Sequence, residues 1–241
     1  MISIIIPVLN EADTIGKLLN HLKGNADHKN ISEIIIVDGG STDGTREIIK
    51  KFVTSNNPEY SELYCILESE KGRAIQMNTG ARQAHGDILY FLHADSLPPK
   101  NFDQLIITEK EKGNLAGCFK MKFDHPHWWL RLASWLTQFK WRACRGGDQS
   151  QFITKTLFND IGGYNEEFMI YEDNILINEL YKREQFVVIQ NWIITSARLY
   201  NQKGIWTLQY HFWAIYVKCW LGASADDIYD YYKKHIATQP N

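Results

Sequence analysis

The sequence predicts an α/β protein: an N-terminal half with a mainly parallel sheet and helices on both faces, then an elaborated C-terminal half. Three observations carry this. Over residues 1–100, short apolar runs alternate with segments of helical periodicity. The connections between them are short. The apolar runs are continuous, as strands buried on both faces require. Residues 2–8 form the first run. Ala12, Ile15, Leu18, Leu19 and Leu22 then recur at helical spacing. A second strand spans 34–37, and a helix follows with Ile48, Ile49, Phe52 and Val53 on one face. Residues 63–67 read as a third strand, 73–83 as a helix and 88–92 as a fourth strand.

Beyond residue 100 the pattern loosens. Strands are expected at 115–123, 151–153 and 186–193. Helices are expected at 128–139, 156–161, 174–182, 204–220 and 225–235, the second of these ending at Gly162-Gly163. No repeat, low-complexity tract or long linker divides the chain, so its 241 residues read as one domain with a substantial core.

Composition removes several function classes. With 26 Lys plus Arg against 28 Asp plus Glu, nothing in the net charge calls for nucleic acid. Cys65, Cys118, Cys144 and Cys219 are scattered, which excludes a zinc ribbon, a CxxC pair and a disulfide framework and suits a reducing compartment. The start has no charged n-region and no cleavage site, so secretion is not expected. Residues 204–217 are uncharged but fall short of the roughly 17–25 a spanning helix needs. A cytoplasmic protein is therefore expected, with at most peripheral contact at the inner face of a membrane. Two tryptophan clusters stand out: Trp128, Trp129, Trp135 and Trp141, and Trp206, Trp213 and Trp220. They are expected to pack on each other as the core of the second half. A resting place in the membrane interface is the alternative.

In an open parallel sheet, ligands bind beyond the carboxyl ends of the strands. Four consecutive strand ends carry polar groups: Pro7, Asn10 and Glu11; Asp38 to Gly44; Glu68, Lys71, Gly72 and Arg73; and His93-Ala94-Asp95. Each alone is ordinary turn and cap chemistry. Together they mark one edge. Asp95, directly after a strand, is placed to hold a hard divalent cation on a diphosphate.

These motifs, Pro7-x-x-Asn10-Glu11, Val37-Asp38-Gly39-Gly40-Ser41-Thr42-Asp43-Gly44-Thr45, Gly72-Arg73-Ala74-x-x-x-Asn78-x-Gly80-Ala81 and His93-Ala94-Asp95, resemble in order and spacing the family 2 glycosyltransferases. The pair Glu172-Asp173 extends the match. Within that family the chain looks most like a small bacterial branch. The resemblance implies a GT-A-type fold, a nucleotide-diphosphate sugar donor, Mg²⁺ or Mn²⁺, and a hexosyltransferase-like activity. It implies that Pro7, Asn10 and Glu11 sit by the nucleotide, that Asp38 reaches base or ribose, and that Arg73 flanks the base. Asn78 belongs to the same donor-side motif. Asp95 would hold the metal. The usual Asp-Asp after the second strand is Asp38-Gly39 here, and the usual Asp-x-Asp is His93-Ala94-Asp95. His93 is a metal ligand or a ribose partner.

For the acceptor side, Asp148 and Gln149 are candidates for sugar hydroxyls, and Arg198 for a phosphate. Asp173 is the preferred general base of an inverting transfer, with Glu172 the runner-up. The acceptor is open, and a lipid-linked molecule suits the aromatic helices. A nucleotidyltransferase would need a Gly-rich basic loop after the first strand, and a dehydrogenase would need GxGxxG there; neither is present. A non-catalytic nucleotide-sugar binder on the same fold is the competing reading, because Gly39 and His93 replace acids.

Overall fold

The computed structural model describes residues 1–55 and 58–237. The N-terminal strands are β1 (Ile2–Val8), β2 (Ile31–Asp38), β3 (Tyr64–Glu68) and β4 (Ile88–Phe91), and they pair in parallel. Between them run α1 (Ala12–Asn25), α2 (Thr45–Thr54), α3 (Pro58–Ser61) and α4 (Arg73–Gln83). Successive side chains of a strand point to opposite faces. Ile4 and Ile6 therefore enter one core with Leu18 and Leu19, while Ile5 enters another with Val37, Met77 and Phe91. That two-sided burial is why β1 reads as an unbroken apolar run.

The second half contributes β5 (Ser96–Leu97), α5 (Phe102–Glu111), β6 (Ala116–Phe123), α6 (Trp128–Leu136), β7 (Gln151–Thr154), α7 (Lys155–Ile161) and α8 (Glu172–Lys182). It ends in β8 (Val187–Thr195), α9 (Arg198–Lys203), α10 (Ile205–Trp220) and α11 (Ala225–His235). The described strands form one sheet in the order β3-β2-β1-β4-β7-β6-β8-β5. β7 runs antiparallel to both β4 and β6, whereas β6 and β8 are parallel. The mainly parallel sheet thus holds for the first half, with β7 and β5 reversed in the second.

The sequence reading missed α3, β5, α5 and α9. A two-residue strand carries no periodic signal. The Phe102, Leu105, Ile106 spacing of α5 was legible and belongs to a helix that buries Phe102 and Ile106. The helix expected to reach residue 139 ends at Leu136, capped by Thr137, whose hydroxyl donates to the Ser134 carbonyl.

The expected Trp core is corrected. Trp129 is half-buried against Trp206 and Trp213, but Trp128, Trp135, Trp141, Trp206, Trp213 and Trp220 are exposed. The third core is built instead from Leu130, Ala197, Leu208, Ile215 and Ile228. Among the described residues, no helix is long and apolar enough to cross a membrane.

Gly117 sits where β6 meets β7 and β8, and a Cβ there would overlap the Val187 carbonyl oxygen and the Phe152 ring. Backbone cannot swing aside as a side chain can. Gly117→Ala is expected to lower unfolding stability by about 1–3 kcal/mol, read from the midpoint of urea denaturation.

Candidate active site

The carboxyl ends of β1 and β2 are stitched together by their loops. Asn10, at a φ of 56°, accepts from the Thr42 amide through Oδ1 (2.9 Å), and its own amide donates to Ser41 Oγ (2.9 Å). The Glu11 amide donates to Thr45 Oγ1 (2.8 Å). Pro7 is half-buried in β1, opposite Val37. Asp38 is buried and closes its own loop, accepting from the Gly40 (3.2 Å) and Ser41 (3.1 Å) amides and pairing with Arg46. Burial would raise its pKa, but the hydrogen bonds from Ser41 and Arg46 outweigh this and lower it. Its direct contacts are with this loop and Arg46. The replacement of the second acid by Gly39 has a physical counterpart: Gln76 donates to the Val8 and Val37 carbonyls (2.8 Å each), and a Cβ on Gly39 would stand 3.1 Å from its amide.

Two arginines join the halves of the chain across the cleft. Arg198 Nη2 lies 2.6 Å from Glu11 Oε1, tying α9 to the start of α1. Arg73, at the first turn of α4, faces both acids that open α8, with Nε 3.2 Å from Glu172 Oε1 and Nη1 3.3 Å from Asp173 Oδ2. Those pairs raise the Arg73 pKa, Glu172 contributing most.

Acids outnumber these cations. Asp95 is pushed up to about 6 by burial, then by the charges of Asp148 and Glu11, with Arg198 opposing. Asp173 is pushed up to about 7 by burial and then by Glu172, with Arg73 opposing. Glu172 is also raised, by burial against the pull of Arg73. Asp148 faces solvent yet lies deep among protein atoms, which raises it, while Arg73 opposes. His93 is lowered to about 3 by burial and by Arg73, so its imidazole is neutral near pH 7.

Glu172 is fully enclosed, and neither oxygen makes a hydrogen bond among the described residues. Asp173 keeps 6% exposure. Gly147 stands directly against it, and a Cβ there would overlap the Asp173 carboxylate.

Two of the expected residues are engaged elsewhere. The Asn78 side chain clamps the turn after α7, donating to the Tyr164 carbonyl (2.9 Å) and Glu166 Oε1 (2.8 Å) and accepting from the Tyr164 amide (3.0 Å). Gln149 is buried, accepting from Arg145 Nη1 (2.6 Å) and donating to the Cys144 carbonyl (2.6 Å). Both are amides whose capacity is taken by backbone and by a buried arginine, a fact no local pattern reveals. Arg46, Gln76 and Arg145 escaped sequence reasoning for the same reason, and the polar stretch from Gly146 to Gln151 was legible without the contact of Gly147 with Asp173.

A parallel nucleotide-type half-sheet, loops stitched at its carboxyl edge and an acid pair delivered by a later helix define the GT-A fold. The chain belongs to the Glycosyl transferase family 2, whose model matches residues 3–176. It is 42% identical to "Glycosyltransferase AglE" of Haloferax volcanii over 98 residues, covering 40% of this chain and 31% of that protein. It is 24% identical over 192 residues to the "Undecaprenyl-phosphate 4-deoxy-4-formamido-L-arabinose transferase" of Proteus mirabilis, covering 78% and 54%. The chain thus spans about half or less of the length of these curated relatives. Among solved structures, S. aureus TarS 1-349 with UDP superposes with a TM-score of 0.65 at 20% identity, covering 81% of this chain and 60% of that one. The mannosyltransferase PcManGT of Pyrobaculum calidifontis, with GDP-Man and Mn²⁺, gives 0.62 at 18% identity, covering 89% and 59%.

An acid whose pKa is raised by folding keeps a proton that the unfolded chain has already lost, so stability falls as pH rises between the two values. For Asp173 that window runs from its ordinary value of 3.8 to about 7. Asp173→Asn removes the term. Its stability relative to the parent is expected to improve by about 1–2 kcal/mol on going from about pH 4.5 to about pH 8, measured by urea denaturation at both.

Proposed function

We propose that this chain is an inverting glycosyltransferase that moves a sugar from a nucleotide-diphosphate donor to an acceptor hydroxyl, with Asp173 as general base. The observation that carries the reading is the Asp173 carboxylate itself. It is raised to about 7, oriented by Arg73 and covered on one side by no more than the bare backbone of Gly147. A base poised near the working pH transfers protons most effectively. The acceptor oxygen bonds to the anomeric carbon as its proton passes to Asp173. The bond from that carbon to the diphosphate oxygen breaks on the opposite side, and the nucleoside diphosphate leaves with the electron pair. Glu172 is a positioning residue: enclosed and ion-paired to Arg73, it holds that guanidinium and adds the like charge that keeps Asp173 basic.

On the donor side, Pro7, Asn10 and Glu11 line the nucleotide, and Asp38 acts through the loop it closes. Neutral His93 accepts or donates to the ribose. Arg198 answers the donor phosphates, and Asp148 the sugar hydroxyls. Among the described residues, Asp95 makes no ion pair and no three His, Cys, Asp or Glu side chains converge as a metal-ligand set. A buried hard oxygen crowded by Asp148 and Glu11 nevertheless fits Mg²⁺ or Mn²⁺, with the donor diphosphate completing the shell. Such a cation would stabilise the charge developing on the leaving diphosphate. The Proteus relative's name specifies undecaprenyl phosphate, which supports a lipid-linked acceptor here and a working position at a membrane surface.

Two measurements test this. Nucleoside diphosphate binding is expected to tighten with Mn²⁺ or Mg²⁺ in the parent and to lose that enhancement in Asp95→Ala, by titration calorimetry; equal enhancement in both would remove the metal from Asp95. Asp173→Asn is expected to cut sugar transfer on the order of 100- to 10,000-fold while leaving donor binding intact. Turnover within a few-fold of the parent would refute the assignment.

A further inference from the structure

The exposed aromatics are not scattered. On α6, Trp128, Leu132 and Trp135 follow one another at helical spacing. On α10, Trp206, Tyr210, Trp213, Val217 and Trp220 do the same over the full 16 residues, about 24 Å. The stripes meet, since the Trp206 ring lies 5.8 Å from Trp128 and 5.4 Å from Trp129. Exposure reaches 59% at Trp128 and 85% at Trp220. A contiguous patch of this kind marks an interaction site.

Charge identifies the occupant. The chain has 28 acids, yet residues 125–147 and 185–225, which contain both helices, hold none. Their charged side chains are all cationic: Arg131 and Lys140 are exposed and Lys203 and Lys218 half-exposed, while Arg142 and Arg145 bond inward and Arg198 pairs with Glu11. Tryptophan and tyrosine with basic flanks suit the headgroup layer of an anionic bilayer. A second copy of the chain would oppose like charges. The patch also borders the site: the Tyr216 ring lies 5.5 Å from Tyr171, the residue preceding Glu172-Asp173.

We propose that the α6–α10 face is a docking surface for an anionic lipid bilayer, on which Trp and Tyr settle at headgroup depth with the acceptor side of the cleft alongside. The proposal deepens the lipid-linked reading of the acceptor and rests on it only for the purpose of the docking, not for the docking itself.

The test is flotation with vesicles of phosphatidylglycerol mixed with phosphatidylcholine, against vesicles of phosphatidylcholine alone, with tryptophan emission followed in parallel. The parent is expected to float with the anionic vesicles and to shift its emission to the blue. Replacing Trp135, Trp213 and Trp220 together by Ala is expected to weaken binding roughly tenfold or more, as is Arg131→Glu with Lys140→Glu. All five side chains are exposed, and circular dichroism checks that the variants fold. Asp173→Asn is expected to float like the parent, so retained transfer in that variant with retained flotation would count against the enzyme reading and not the surface. A parent that stays in the aqueous fraction, Trp variants that float unchanged, or a dimer by sedimentation that shields the patch would each overturn the proposal.

Discussion

Five carboxylates, those of Glu11, Asp95, Asp148, Glu172 and Asp173, face a cleft in which Arg73 and Arg198 are the cations joining the two halves of the chain. Like charges in a poorly hydrated place raise one another's pKa, and here four of the acids move up together. The imbalance is a standing demand for positive charge. Protonation or a bound cation would relieve it, whereas a phosphate without a cation would add to it. The imbalance also makes Arg73 structurally central. With one guanidinium it holds two acids of a helix a hundred residues away.

The scaffold around the cleft works by closing loops so that few backbone groups compete for the ligand. Asn10 and Ser41 lock the first two strand ends, Gln76 satisfies the carbonyls between them, and Asn78 clamps the turn beyond α7. Arg145 is buried with no carboxylate against it. It donates to Gln149 and to the Thr137 and Phe139 carbonyls instead. Carbonyl oxygens take up both terminal nitrogens of this buried cation and hold its loop in one geometry, because each partner is backbone or is itself buried. That geometry sets Gly147 against Asp173.

Large aromatic side chains can face water, since folded proteins never hide all their apolar surface. What distinguishes α6 and α10 is that the helices bury a narrow stripe of Leu130, Leu208 and Ile215 and turn their tryptophans outward. Of these tryptophans only Trp129 packs against that core; the others lie outside it. Hydropathy alone treats both stripes as apolar and cannot tell them apart.

The sequence by itself determined the first half: the four parallel strands, the crossovers between them, and the loops at 10–11, 38–44 and 93–95 at their carboxyl ends. Period and turn chemistry are local, and β1, β2 and β4 are buried on both faces, so their apolar runs say what they are. The pair Glu172-Asp173 was legible as chemistry but not how the two acids differ; only tertiary packing enclosed Glu172 fully and set Asp173, 6% exposed, against Gly147. Packing likewise turned Asn78 and Gln149 away from the ligand side, reversed β7 between β4 and β6, and exposed the tryptophans. Each of these depends on which residue arrives from a distant part of the chain. Such partnerships are set by burial and hydrogen-bond satisfaction across the whole fold, and no window of neighbouring residues contains them.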